Sequence, residues 1–223
     1  MTMPGATRSD DPFGVLRRVM QPRPVAPPGE ACEMCGETVP DAHSHVASVT
    51  ERRLMCACRA CYLLFTQRGA AGQRLRAVPE RVMVAADFAF TQRQWDELSI
   101  PVGLVFFLRQ TELNSASSDG SRSVTACYPS PAGATESELD LREWQQIIDD
   151  NPALSDVEDD VEAVLVRRRG SGEFECLIVP IDVCYALVGV VRRYWTGLQG
   201  GDEIWARIDE FFADLHRRAG RSG

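Results

Sequence analysis

Residues 32–61 constrain this chain more than any other stretch. They read Cys32-Glu33-Met34-Cys35-Gly36, then His43-Ser44-His45, then Cys56-Ala57-Cys58-Arg59-Ala60-Cys61. Five of the eight cysteines and two of the three histidines fall within these 30 positions. Two cysteines separated by two residues let one tight turn present both thiolates to a single ion, with backbone N–H groups directed at the sulfurs. Cys32 and Cys35, followed by Gly36, form such a knuckle, and the glycine lets the chain turn away with positive φ. Cys58 and Cys61 are the second pair. The 22 residues between the pairs are an ordinary spacing for a zinc ribbon or treble clef. Cys32, Cys35, Cys58 and Cys61 are therefore expected to hold one tetrahedral ion. Zinc is expected, and iron is the alternative, because both accept four thiolates.

His43, His45 and Cys56 are three donors more than one tetrahedral ion can use. Residues two apart in a strand share a face, so His43 with His45, and Cys56 with Cys58, can point together. Four readings stay open from the residues alone. Cys56 can replace Cys58 as a ligand; His43, His45 and Cys56 can form a second, weaker site; His45 can hydrogen-bond a ligand thiolate; or the histidines are polar residues on the exposed face of a hairpin. The local pattern predicts a strand over 43–50, a turn at 51–53, a returning strand over 53–56 and a helix over 59–67 ended by Gly69. Knuckle, hairpin and helix in that order are the treble-clef order, with the second cysteine pair in the first helical turn, where free N–H groups favour thiolates.

The flanks divide into an arm and a larger unit. Residues 1–30 read as unstructured, with a short helical patch at 13–20 and a proline-rich linker at 21–30. Residues 31–69 are the metal-binding unit, and residues 78–219 read as an α+β domain, a mixed sheet with helices packed on one face. Within it, strands are expected at 82–90, 102–109, 124–128, 161–167 and 174–179, the second of them central because it is apolar throughout. A helix is expected over 91–98, capped by Thr91. Residues 114–121 read as a loop and Pro129–Ala134 as a rigid loop. Thr135 and Glu138 read as a capping box opening a helix to about Asp149. Further helices follow at 181–195 and 202–217, the last with Ile204, Trp205, Ile208, Phe211, Phe212 and Leu215 on one face.

Composition narrows the function. The net charge of −8 gives no global attraction to nucleic acid or to an anionic membrane. The apolar runs Ile100–Leu108 and Leu177–Val191 fall short of the roughly 18 residues of a membrane span, and the second contains Asp182. The polar first residues lack a signal-peptide core, so the cytoplasm is expected, where clustered cysteines bind metals rather than form disulfides. There is no phosphate loop, dinucleotide glycine pattern or Gly-x-Ser-x-Gly, and the reading leans away from an enzyme. Cys127, Cys176 and Cys184 sit in apolar segments as core residues, and Trp144, Trp195 and Trp205 read as core or interface. The acidic run Asp156, Glu158, Asp159, Asp160 and Glu162 lacks calcium-loop spacing and reads as a solvated turn. Gly133 and its loop read as a stiff turn, and His216 as a favourable charge at a helix C-terminus.

The Cys32–Gly36 knuckle, His43-Ser44-His45 and Arg52–Cys61 resemble a bacterial domain family of unknown function. So do Tyr128-Pro-Ser-Pro-Ala-Gly-Ala-Thr-Glu136, Asp160–Val166 and Val179–Tyr185. The resemblance covers about residues 31–215. It implies a context, because members look to be encoded beside high-affinity nickel–iron hydrogenase genes. The implied role is an accessory or assembly factor that contacts a hydrogenase subunit or maturation protein, and no catalytic residue comes with it. The knuckle, His43-Ser44-His45 and the Cys58/Cys61 helix also look like the zinc frame of HNH nucleases. The usual Asn and final His of that frame are not apparent, and the acidic chain opposes a DNA substrate.

Overall fold

The fold is given by a computed structural model that describes residues 30–67, 69–98, 103–112, 121–139, 141–170, 172–196 and 200–220. The expected helical patch at 13–20, nearly all of the proline-rich linker and most of the 114–121 loop lie outside them. The described residues are α+β, with two antiparallel sheets.

The smaller sheet holds β1 (Ser44–Ser48), β2 (Arg53–Ala57) and β3 (Leu75–Ala77) in the order β2-β1-β3. Helix α1 (Arg59–Leu63) follows β2. It is one turn and stops short of the expected Gln67. Leu64 and Phe65 donate to the carbonyls of Cys61 and Tyr62, tightening the end, and the Phe65 carbonyl then accepts from Ala77 of β3. The chain leaves the helix because β3 recruits it.

The larger sheet holds β4 (Met83–Val84), β5 (Leu104–Glu112), β6 (Ser121–Ser130), β7 (Gly133–Leu139), β8 (Glu162–Arg169) and β9 (Glu173–Pro180), in the order β4-β9-β8-β5-β6-β7. Strand β5 is internal, as its unbroken apolar sequence predicts. Leu104, Phe106 and Leu108 enter one core with Ala163, Leu165, Leu177 and Val179. Val105 and Phe107 enter another with Val164, Val166, Cys176 and Ile178. This period-2 alternation is the strand's own geometry. Both faces are covered, which corrects the expectation of helices on one face only. Helices α4 (Ile181–Tyr194) and α5 (Gly201–Ala219) lie on the first. Helices α2 (Gln92–Glu97) and α3 (Leu141–Asp150) bring Trp95, Trp144 and Ile147 to the second. Ile204, Ile208, Phe212 and Leu215 make the buried stripe of α5, while Trp205 and Phe211 lie at its margin. Gly200 opens this helix at φ +87°, and a Cβ there would stand 2.9 Å from Ile204 Cγ2.

Two strands depart from the sequence reading. Residues 133–139 form β7, paired along β6 from Ser130↔Gly133 to Val124↔Leu139, so Thr135 and Glu138 cap no helix and no rigid loop spans 129–134. Pro131 and Ala132 are the two-residue turn, where proline's fixed φ is tolerated. The alternating polar sequence of β7 suits an edge strand, which charge protects from further pairing. Strand β4 is two residues long, not nine. Asp87 turns left-handed at φ +59°, and Phe90 packs on Phe174 with ring centroids 5.1 Å apart. The buried Asn151 side chain then replaces strand pairing: it accepts from Ala89 N–H at 2.7 Å and donates to the carbonyls of Ala89 and Ile147, both at 2.9 Å. Thr91 does cap α2 in a reciprocal box with Gln94. Among the described residues, no helix is long and apolar enough to cross a membrane.

Candidate metal centre

The Cys32 knuckle is a miniature hairpin. Ala31 bridges Thr38, Cys32 N–H donates to the Glu37 carbonyl at 2.7 Å, and Gly36 N–H closes on the Cys32 carbonyl at 2.8 Å. Gly36 has φ +80°, the left-handed conformation expected of it. Glu33 fastens this hairpin to the open edge of β2. Its N–H donates to the Cys56 carbonyl at 2.9 Å, and its carboxylate accepts from Cys56 N–H at 3.0 Å and from Arg53 Nη1 at 2.7 Å. The Arg53 hydrogen bond, with help from Cys56 N–H and against partial burial, holds the Glu33 carboxyl below its ordinary range. The second pair sits where β2 runs into α1, with Cys58 extended just ahead of the helix and Cys61 within it.

This arrangement brings the Sγ atoms of Cys32, Cys35, Cys58 and Cys61 within 4.8 Å of one another. Cys35 and Cys58 stand 3.7 Å apart. A tetrahedral ion with metal–sulfur bonds of about 2.3 Å sets its sulfurs roughly 3.8 Å apart, so the four residues fit such an ion. Cys32 is buried, Cys58 and Cys61 half-buried and Cys35 exposed. Burial pushes the Cys32 thiol up, but hydrogen bonds from the backbone at Cys58, Cys35 and Met34 outweigh it and bring it down to about 6. Cys61 is pushed up to about 12, first by its hydrogen bond with Cys58, then by burial and its other sulfur neighbours. A dication held there would stabilise all four cysteines as thiolates, and its binding would release protons.

The surplus donors gather separately. His45 and Cys56 are directly opposite on β1 and β2, and one nitrogen from each of His43 and His45 lies with Cys56 Sγ within 4.8 Å. Cys58 Sγ groups with the tetrad and Cys56 Sγ with the two histidines. Neither histidine is an exposed hairpin side chain, being 5% and 24% exposed. His45 Nδ1 meets Asp182 Oδ2 at 2.9 Å rather than a cysteine sulfur. Sequence reading noticed Asp182 only as a charge in an apolar run, because 137 positions separate it from His45.

Other residues singled out from sequence find different places. Cys127 and Cys184 lie in one core of the larger sheet and Cys176 in the other. Burial pushes the Cys127 thiol up to about 12 and raises those of Cys176 and Cys184 as well. Trp144 is buried against Phe107, with ring centroids 5.4 Å apart, and Trp195 meets Trp205 at 6.5 Å. His216 pairs with the Glu175 carboxylate on β9, so it is more than a charge at a helix end.

The acidic run is not a solvated turn. Asp159 pairs with Arg109 and Arg122, Glu158 with Arg76 at 2.8 Å, and Asp160 Oδ1 accepts from Thr111 N–H at 2.8 Å. These residues line a polar cleft of about 690 Å³, whose arginines are matched by its acids. Glu162 is 0% exposed and is gripped by Arg81 through two bonds, Nε to Oε1 at 2.6 Å and Nη2 to Oε2 at 2.8 Å. The spacing of the acids carried no signal of their arginine partners, which come from distant segments.

The profile of a family of unknown function, DUF5947, matches residues 31–219. The chain belongs to that family. The matched range starts at the residue before Cys32, so the cysteine unit and the six-stranded unit fall within one family profile. No curated protein and no solved structure is significantly similar to the chain.

Proposed function

We propose that this chain is a metal-binding accessory protein in which Cys32, Cys35, Cys58 and Cys61 hold one structural zinc ion in a treble-clef unit. The observation that carries the reading is the convergence of the four sulfurs, at the spacing a tetrahedral ion requires. The small core beneath them supports it. Its own cluster holds Val46, Met55, Ala57 and Tyr62, a small core for a unit of this size. Zinc supplies folding free energy directly, on the order of 10 kcal/mol in zinc-finger peptides. The proposal divides the chain into an arm at 1–30, the metal unit and the 78–219 domain. Leu75–Ala77 is counted with the metal unit because it pairs with β1.

The protein acts through protein–protein contacts in the cytoplasm, and its partner is a hydrogenase subunit or maturation protein. The partner rests on the family resemblance alone. Leu63 and Leu64, 51% and 66% exposed beside the tetrad, offer apolar contact area. The test is co-purification of tagged, metal-loaded chain with separately expressed nickel–iron hydrogenase subunits and maturation proteins. Retention of a subunit, lost in Leu63→Asp/Leu64→Asp, is expected; no retention of any subunit or maturation protein overturns the partner.

A rubredoxin-like iron or iron–sulfur centre passing electrons to the hydrogenase is the second reading. The exposure of Cys35 favours it, because an exposed thiolate ligand shortens the path to an electron partner. Thiolate charge-transfer bands that bleach on reduction would identify it.

A further inference from the structure

We infer that His43, His45 and Cys56 form a second metal site, distinct from the cysteine tetrad, which takes a divalent ion of the zinc class and leaves one coordination position open. Nothing in this inference depends on what the tetrad binds.

The tautomers come first. His45 Nδ1 stands 2.9 Å from the Asp182 carboxylate, which only accepts, so Nδ1 carries the proton. His43 Nδ1 stands 2.9 Å from the Pro40 carbonyl, with Glu30 Oε2 at 3.5 Å, and carries its proton for the same reason. On both rings the lone pair is then on Nε2. An imidazole held at Nδ1–H by a carboxylate or a backbone carbonyl, with Nε2 free, is the arrangement that orients histidine ligands in metal proteins.

Burial is the second, independent observation. The His43 side chain is 5% exposed, and its Nε2 is a buried atom with no hydrogen-bond partner. Burying an acceptor without a partner is costly, and a metal ion removes that cost. The rings of His43 and His45 lie 4.7 Å apart, tilted by 50°. Cys56 completes the group from the facing strand, and one donor from each of the three residues lies within 4.8 Å of the others. Side-chain rotation closes this to the roughly 3.5 Å that a tetrahedral ion sets between nitrogen and sulfur donors.

The chemistry of the donors names the ligand. Two imidazoles and one thiolate suit borderline ions such as Zn²⁺ or Co²⁺ and disfavour Mg²⁺ and Ca²⁺. Three protein ligands rather than four is the pattern of an open site, with water, a small anion or a donor from a partner in the fourth position. Asp182 comes from the first turn of α4, so the site joins the small sheet to a helix of the larger unit.

The test uses the full chain, stripped of metal, kept reduced without thiols and titrated anaerobically with Co²⁺. An equivalent of Co²⁺ beyond the tetrad's own, lost in Cys56→Ser and in His45→Ala while the four-sulfur charge-transfer bands of the tetrad persist in both, is the expected result. Asp182→Asn should weaken that equivalent by about 10- to 100-fold while leaving the ligands in place. Cobalt binding unchanged by both Cys56→Ser and His45→Ala overturns the inference. Should a variant fail to fold, cadmium NMR of the unmodified chain decides. A resonance from a mixed nitrogen–sulfur site supports the inference, and four-sulfur resonances alone overturn it.

Discussion

Replacing Arg81 with Met should destabilise the chain by about 3–5 kcal/mol, the usual cost of breaking a buried ion pair from one side. Glu162 has no solvent-exposed area to fall back on, and Arg81 supplies two of the three hydrogen bonds to its carboxylate. The third, from Glu158 N–H at 2.9 Å, is left to hold the charge alone. With a urea m-value of about 3 kcal/mol/M, the midpoint falls by roughly 1–2 M. The assay is urea unfolding of metal-loaded protein followed by circular dichroism, with metal in excess so that its loss does not blur the transition. The double variant Arg81→Met/Glu162→Leu removes the stranded charge. It should recover to within about 2 kcal/mol of the parent, the remainder being the orphaned Glu158 N–H. A single-variant loss below about 1 kcal/mol, or costs that simply add in the double variant, would refute the reasoning.

Two further outcomes are expected. Asn151→Ala should cost about 3 kcal/mol, because it strands Ala89 N–H and the Ala89 and Ile147 carbonyls; thermal unfolding checks it, and a loss under about 1 kcal/mol contradicts the clamp. Cys127, Cys176 and Cys184 should resist alkylation in the folded protein at pH 8. With its thiol at about 12, Cys127 is ionised in about one molecule in ten thousand there. Peptide mapping should find them labelled only after unfolding, whereas Cys35, which is exposed, becomes labelled once a chelator is added.

What could be read from the sequence was what short-range chemistry dictates. Two Cys-x-x-Cys pairs announce their own turns, and Thr91 finds Gln94 three residues away. What could not be read depends on distant partners. Strand β7 carries Thr135 and Glu138 at capping-box spacing, and only its pairing with β6 shows that they belong to an edge. Strand β4 ends early because Asn151, more than 60 residues on, takes over its backbone. The acidic run looked solvated because Arg76, Arg81, Arg109 and Arg122 reach it from other segments. The apolar sequence of β5 did contain the evidence of two covered faces, since every residue from Leu104 to Leu108 is buried whichever way it points. His43, His45 and Cys56 were visible as surplus donors, but their separation from the tetrad follows from the β1–β2 register.

The most direct test of the account is the metal content and X-ray absorption spectrum of the chain purified without oxygen or added metal. The account predicts at least one tightly held, colourless zinc per chain with a four-sulfur shell, lost in Cys32→Ser/Cys35→Ser. A chain that folds without metal, or that keeps a four-sulfur ion in that variant, would contradict it.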